Sequence, residues 1–324
     1  FQNYLRTGSA ERVGSLLVQT DNQGGYAIPF YMDPTLVKTG AHTPINPYRA
    51  ACTIKQIVGT DTYMGASAAA VAIARQAEAT ASVEGGPAIG TIVKVVSKVH
   101  AMVTLSIEML EDRPEIISDM TGLIAEAKDV EEEAIFTLGD GAALGTSFQP
   151  TGMLAAHTVT AYCWTHASTD VQFVLDADDI FKTEAALQIR HRPNAAWFMG
   201  RATIRAIQAL ETANGQLFGG FYGNIGQGPV PGVPSGNTGL RLLGYPVYEV
   251  PSALTGNAAE TVVLGFGDPK GFYIVDRAGM SLEVIPHLWA NASLPLGTRG
   301  IYAWWRNTSF APNPDSGRRL AIHV

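Results

Sequence analysis

Four glycines, Gly139, Gly141, Gly145 and Gly152, fall within the stretch LGDGAALGTSFQPTGML, residues 138–154. Glycine-rich loops can cradle phosphate, because backbone N–H groups and a helix N-terminus then point at the anion. That chemistry needs the glycines after a strand and ahead of a helix. Here they follow a long helical pattern, so the stretch reads as a turn. GFGDPKG (265–271) does follow a strand pattern, but Pro269 and the strand-like FYIVD stand where a phosphate-binding helix would begin. GNIGQG (223–228) has the wrong glycine spacing and sits inside a long Gly- and Pro-rich loop.

Titratable residues give no better constellation. The seven histidines, His42, His100, His157, His166, His191, His287 and His323, are scattered, with neither HExxH nor a Cys/His pairing at metal-ligand spacing. Each reads as a surface or packing histidine. Glu131, Glu132 and Glu133 are consecutive on a helical pattern, where neighbours point about 100° apart, so they cannot converge on one metal. They read as a solvated or subunit-facing surface. Cys163 and His166 lack an orienting acid at an obvious spacing, and no GxSxG elbow is present. The two cysteines, Cys52 and Cys163, read as buried or idle thiols in a reducing compartment. No catalytic, cofactor-binding or metal residue is assigned, and neither a cofactor nor an enzyme activity is expected.

The 324 residues are 46% hydrophobic, ample for one large or two medium domains. Only 16% are charged, below the usual quarter of a soluble protein, so much of the surface is expected to be covered by neighbours. A net charge of -7 without any lysine- or arginine-rich run excludes a sequence-reading nucleic-acid binder. No stretch of about 18 apolar residues offers a membrane span. The sequence opens at Phe1 without methionine, which reads as removal of something upstream.

Residues 1–45 have no apolar period and read as an extended arm, which costs about 1–2 kcal/mol per residue to order unless another surface covers it. TIVKVVSKVHAMVTL (91–105) alternates, placing Val93, Val95, Val99, Val103 and Leu105 on one face of a single long strand. With the run from Tyr63 to about Ala77 it forms a projecting hairpin. Ser106 caps a short helix, and Pro114 starts a long one to Gly139 along the stripe Ile116, Met120, Leu123, Ala127, Val130, Ala134 and Leu138. Helices over 176–191 and 201–213 flank the strand AAWFMG (195–200). From Arg241 strands dominate: RLLGYPVYEV, AETVVLGFG, GFYIVDR, MSLEVIP, GIYAWWRNTSF and RRLAIHV.

This order of parts, with its motifs, resembles the major capsid protein of tailed double-stranded DNA bacteriophages, the Hong Kong ninety-seven fold. FQNYLRTG is similar to that family's arm opening and GGYAIPF to its Gly-Gly-aromatic-x-x-Pro. VTLSIEMLEDRPEIISDMTGLIAEAKDVEEEAIFTLGDG with QPTGML resembles its short helix, spine helix and Gly-Asp-Gly turn. AAWFMGRATIRAIQALETANGQLF, LLGYPVYEV and LGFGDPKGFYIVDRAGMSLEV resemble its later strand–helix and strand segments.

The resemblance implies an α+β capsid fold. Its parts would be an N-terminal arm at 1–45, peripheral domain at 46–57, extended hairpin loop at 58–92, peripheral domain with spine helix at 93–145, axial domain at 146–256 and peripheral return strands at 257–324. It implies a structural virion protein, self-assembling as hexamers and pentamers into an icosahedral shell around packaged DNA in the host bacterial cytoplasm. The implied partners are other copies, portal, scaffold and decoration proteins, with DNA held by confinement and no membrane. The family's N-terminal scaffolding segment would account for Phe1. Some members weld subunits through a lysine–asparagine bond; Lys94 and Lys98 are not at the hairpin tip, so crosslinking is not expected here. The competing readings are an encapsulin-type nanocompartment shell and a soluble enzyme using loop 214–240 as a lid.

Overall fold

The computed structural model describes residues 46–68, 85–113, 115–141, 149–164, 175, 177–214, 237–253, 262–288 and 296–323, with 71, 73, 75, 77 and 78. The chain divides into two units, Phe1–Ala41 and His42–Val324, and every described residue belongs to the second. The expected arm therefore lies outside the described residues.

In chain order the elements are α1 (Tyr48–Ala51), β1 (Thr53–Gln56), β2 (Thr62–Ala68), β3 (Ile89–Val95), β4 (Ser97–Ser106), α2 (Ile107–Asp112), α3 (Ile116–Leu138), α4 (Met153–Ala156) and β5 (Thr158–Trp164). There follow α5 (Ala177–Ala185), β6 (Ala196–Met199), α6 (Arg201–Asn214), β7 (Asn237–Leu242), β8 (Tyr245–Glu249), β9 (Val262–Gly267), β10 (Tyr273–Ile285), β11 (Thr298–Phe310) and β12 (Gly317–His323). Helices and largely antiparallel sheets make an α+β protein. A four-stranded sheet has the order β1-β10-β11-β4, a six-stranded sheet β5-β12-β9-β6-β8-β7, and β2 and β3 pair alone. Within 257–324, β9 and β12 enter the six-stranded sheet, β10 and β11 the four-stranded one.

The hairpin forms in the register Thr62↔Val95 to Ala68↔Ile89. The single strand expected over 91–105 is two. It breaks at Val96, which packs with Val275 and Phe310, while Ser97 Oγ donates to the Asn307 carbonyl at 3.0 Å. Two consecutive inward residues invert the alternation, so Val99, Val103 and Leu105 face the core whereas Val93 and Val95 are exposed and Ile92 is half-buried.

α3 spans 23 residues, about 35 Å at 1.5 Å per residue. Ser106 occupies the position before α2, but its hydroxyl makes no capping bond. Ile116 and Ile124 lay one face of α3 on Leu105, Ile301 and Trp305 of the four-stranded sheet. The expected stripe departs from this in its later half: Ala127 is exposed, and Glu132, Glu133, Phe136 and Thr137 are buried instead. A second core joins the two sheets. It gathers Tyr48, Phe136 and Met153 with Phe198 and Tyr248 of the larger sheet and Ile274 of the smaller, and full burial of each such side chain contributes about 1.5–3 kcal/mol.

RLLGYPVYEV, expected as one strand, is a hairpin turned at Leu243 (φ 52°) and Gly244 (φ 84°). Two left-handed residues match the twist of the flanking strands in a two-residue loop. GFYIVDR and MSLEVIP, expected as two strands, are one, β10, with register shifts between Asp276 and Ser281.

Candidate functional site

Among the described residues, the junction of α3 with both sheets gathers two buried glutamates, Glu132 and Glu133, and the arginine that pairs with the first. Arg49 is carried there by α1, a single turn after Pro47, and its fork engages two carboxylates. Nε and Nη2 donate to Glu132 at 2.5 and 2.7 Å, and Nη1 and Nη2 to Asp276 at 2.8 and 3.2 Å. Lys128, one helical turn before Glu132, lies 2.9 Å from it, and Asn307 of β11 donates to it at 2.9 Å. Burial alone would raise the Glu132 carboxyl, but the Arg49 bonds and the two cations outweigh it and hold the group below the ordinary carboxylate range. For Arg49, likewise, burial opposes the charge and the two carboxylates win, raising its pKa.

Glu133 turns toward the larger sheet. Ser252 donates to it from its backbone N–H at 3.1 Å and its hydroxyl at 2.5 Å. Thr137 shares a 3.0 Å hydrogen bond with the Tyr48 hydroxyl, and the Tyr48 ring stacks on Phe198 with centroids 5.7 Å apart. Glu132 and Glu133 therefore correct the sequence expectation of a solvated or subunit-facing acidic surface: both are bonded inside the fold. Glu131 remains partly accessible, and burial together with the charge of Glu132 pushes its carboxyl up to about 7. Both oxygens of Glu132 and of Glu133 accept hydrogen bonds from the fold, so these carboxylates hold its elements together.

The hairpin root is a second cluster. Asp61 accepts from Arg277 of β10 and, at 2.7 Å, from Arg306 of β11, while its carbonyl accepts from Val96 N–H at 2.9 Å. Tyr63 lies against Phe310 with centroids 5.4 Å apart. Beyond this root, among the described residues, apolar side chains stand in water: Met64 is 77% exposed, Ile73 92% and Ile89 74%.

The glycine turn closes backbone on backbone. Gly152 N–H donates to the Gly139 carbonyl at 2.7 Å, and a Cβ on Gly139 would stand 2.2 Å from the Pro150 oxygen. Gly139 has φ −52°, so close approach and not a left-handed backbone requires glycine there. GFGDPKG is a turn, with a short 3₁₀ segment Pro269–Gly271 and the Asp268 side chain accepting from Lys270 N–H at 3.0 Å. GNIGQG, Gly145, His42 and His166 lie outside the described residues, as do the side chains of Cys163 and His323.

His157 is buried against Gly317, and burial pushes its imidazole down to about 4, leaving it neutral at pH 7. His191 approaches Asp268 at 3.8 Å, His100 packs beside Tyr302, and His287 is exposed. Cys52 is a free thiol whose pKa burial raises. Among the described residues no group of three or more His, Cys, Asp or Glu is placed to hold a metal ion, and no helix is long and apolar enough to cross a membrane.

The model of the phage capsid family matches residues 24–299. Among solved structures, the capsid of a native GTA particle superposes with a TM-score of 0.72 at 20% identity, covering 96% of this chain and 100% of that one. Gordonia phage Cozz gives 0.65 at 11% identity, covering 98% of each chain, and the mature capsid of bacteriophage PhiM1 gives 0.56 at 12%, covering 91% and 92%. At such identities the likeness establishes the fold. None of the curated proteins matches this chain.

Proposed function

The chain belongs to the phage capsid family and is a phage major capsid protein; from that premise we propose that its copies join as hexamers and pentamers and close an icosahedral shell around double-stranded DNA. The observation that carries this is the hairpin, whose described residues Met64, Ile73 and Ile89 stand in water. A two-stranded ribbon is marginal alone, so a surface of another copy must cover it. The encapsulin and lid-enzyme readings have no comparable support.

A net charge of -7 fits DNA held by confinement behind a neutral or mildly acidic wall, with few phosphate contacts. On this reading assembly takes place in the host bacterial cytoplasm, with portal, scaffold and decoration proteins as partners. Gentle purification from the source tests it. Shells containing nuclease-protected DNA are expected, and a sharp 34.4 kDa monomer at every concentration would overturn it. Unassembled subunits are expected to bind duplex DNA more weakly than micromolar near 150 mM salt; tighter binding with a log–log salt slope steeper than about −4 would refute the confinement reading.

A further inference from the structure

The face of the four-stranded sheet turned away from α3 carries alternating cations and aromatics. In the β4–β11 ladder Lys98 stands opposite Arg306, His100 opposite Trp304 and Met102 opposite Tyr302. Lys98 Nζ lies 5.5 Å from the Tyr302 ring centroid and 5.7 Å from that of Trp304, and Arg306 lies 5.9 Å from Trp304. Like charges placed directly opposite are unfavourable in a ladder. Arg277 adds a third cation, and Asp61 is the carboxylate that meets Arg277 and Arg306. Asp276, close by, is already bonded to Arg49. Beside these residues opens a cleft of about 310 Å³ lined by Val58, Gly59, Arg277, Trp304 and Arg306.

The opposite end of the same sheet has the opposite sign. From Lys98 to Ser106, about 26 Å at about 3.3 Å per residue, β4 runs into α2. There Glu108, Glu111, Asp112 and Glu115 are exposed, and Asp119 pairs with Arg113 at 3.7 Å. Arg299 also lies toward this end, whereas Glu283 stands opposite Tyr302 in the middle of the cation–aromatic face. Met109, 45% exposed, sits among the carboxylates.

We propose that the cation–aromatic face of one copy docks the acidic α2 of a second copy, head to tail. The proposal rests on the self-assembly reading above. Carboxylates of α2 would meet Lys98, Arg306 and Arg277, and Met109 would lie on the Trp304 and Tyr302 rings, a favourable sulfur–aromatic contact. Because the two patches differ, the contact is heterologous: each copy offers one of each, and such contacts propagate until they close a ring. The described part of the hairpin, which exposes mainly apolar side chains, offers no matching excess of negative charge.

Charge exchange at exposed positions tests this without touching the core. Lys98→Glu alone and Glu111→Lys alone are each expected to lower the assembled fraction about tenfold in low salt, and the double exchange to restore it to within about threefold. Separately, His100→Cys with Met109→Cys should give ladders of disulfide-linked copies under mild oxidation, with neither single variant doing so; within one copy the two positions are too far apart to bridge. A wild-type chain that stays monomeric overturns the self-assembly reading itself. A wild-type chain that assembles, with no rescue in the double exchange and no ladder, overturns the docking alone. A ladder from His100→Cys with Met64→Cys in its place would assign the face to the hairpin of a second copy and likewise overturn it.

Discussion

At the end of α3 two carboxylates lie inside the molecule with their oxygens bonded, while the hairpin of β2 and β3 holds Met64, Ile73 and Ile89 out in water. The two regions reverse the usual placement of charged and apolar groups. Buried charge is tolerated where partners from α1, β10 and β11 converge on it, so the junction is complete within one chain. The apolar side chains that the described part of the ribbon exposes are left uncovered within one chain. The junction is where the subunit folds, and on the proposed reading the hairpin is where it meets another.

Replacing junction residues should therefore act on folding, and replacing hairpin residues on assembly. The largest effect is expected for Glu132→Ala, which leaves Arg49 and Lys128 facing each other: a loss of about 3–5 kcal/mol, read as a lowered urea midpoint. Ile124→Asp, on the face of α3 that packs against Ile301 and Trp305, places an unpaired carboxylate in that core and should cost about 2–5 kcal/mol. Wild-type shell yield from either variant would break the comparison. Val130→Asp, at a half-buried position, should cost less than Ile124→Asp, and an equal loss would show that assembly covers that face of the helix.

Glu131 gives a pH test. Its folded pKa, about 7, lies above the ordinary 4.5, so the folded state binds the proton more tightly. This contribution is fully present below about pH 4.5 and is lost as pH rises through 7. Glu131→Gln should remove that slope, worth about 1 kcal/mol once solvent screening of a partly accessible group is discounted. Glu132 has the opposite sign: its contribution is lost as pH falls below the ordinary carboxylate range. The smallest effect on folding is expected for Ile73→Ser, within about 0.5 kcal/mol in the isolated subunit, with reduced shell yield by electron microscopy. A large loss of subunit stability would mean that the ribbon is covered within its own chain.

The long helix was legible because Ile116, Met120 and Ile124 keep helical spacing over several turns. The burial of Glu132 and Glu133 was not, since its cause is non-local: Arg49 and Asp276 are far from Glu132 in sequence, and a run of glutamates on a helix reads by itself as solvated. The same holds at Val96. Alternation continues through it in the sequence, and only Phe310 and Asn307, delivered by β11, draw both Val96 and Ser97 inward and invert the phase. At Leu243 the local signal was incomplete, because a leucine seldom takes positive φ and the hairpin needed it to. The glycine turn could be read because it depends on neighbours in sequence, and the long helix ahead of it, where a phosphate loop has a strand, settled its role.

The closure of Gly152 on Gly139 also ties the start of α4 to the end of α3 through a 2.7 Å hydrogen bond and the Asp140–Thr151 bridge, while Thr151 N–H anchors the turn to the Ser309 carbonyl of β11 at 3.0 Å. The direction in which the chain leaves the long helix is therefore set by contacts between the two ends of the turn, Gly139–Asp140 and Thr151–Gly152, so a change at either end re-aims everything that follows α4.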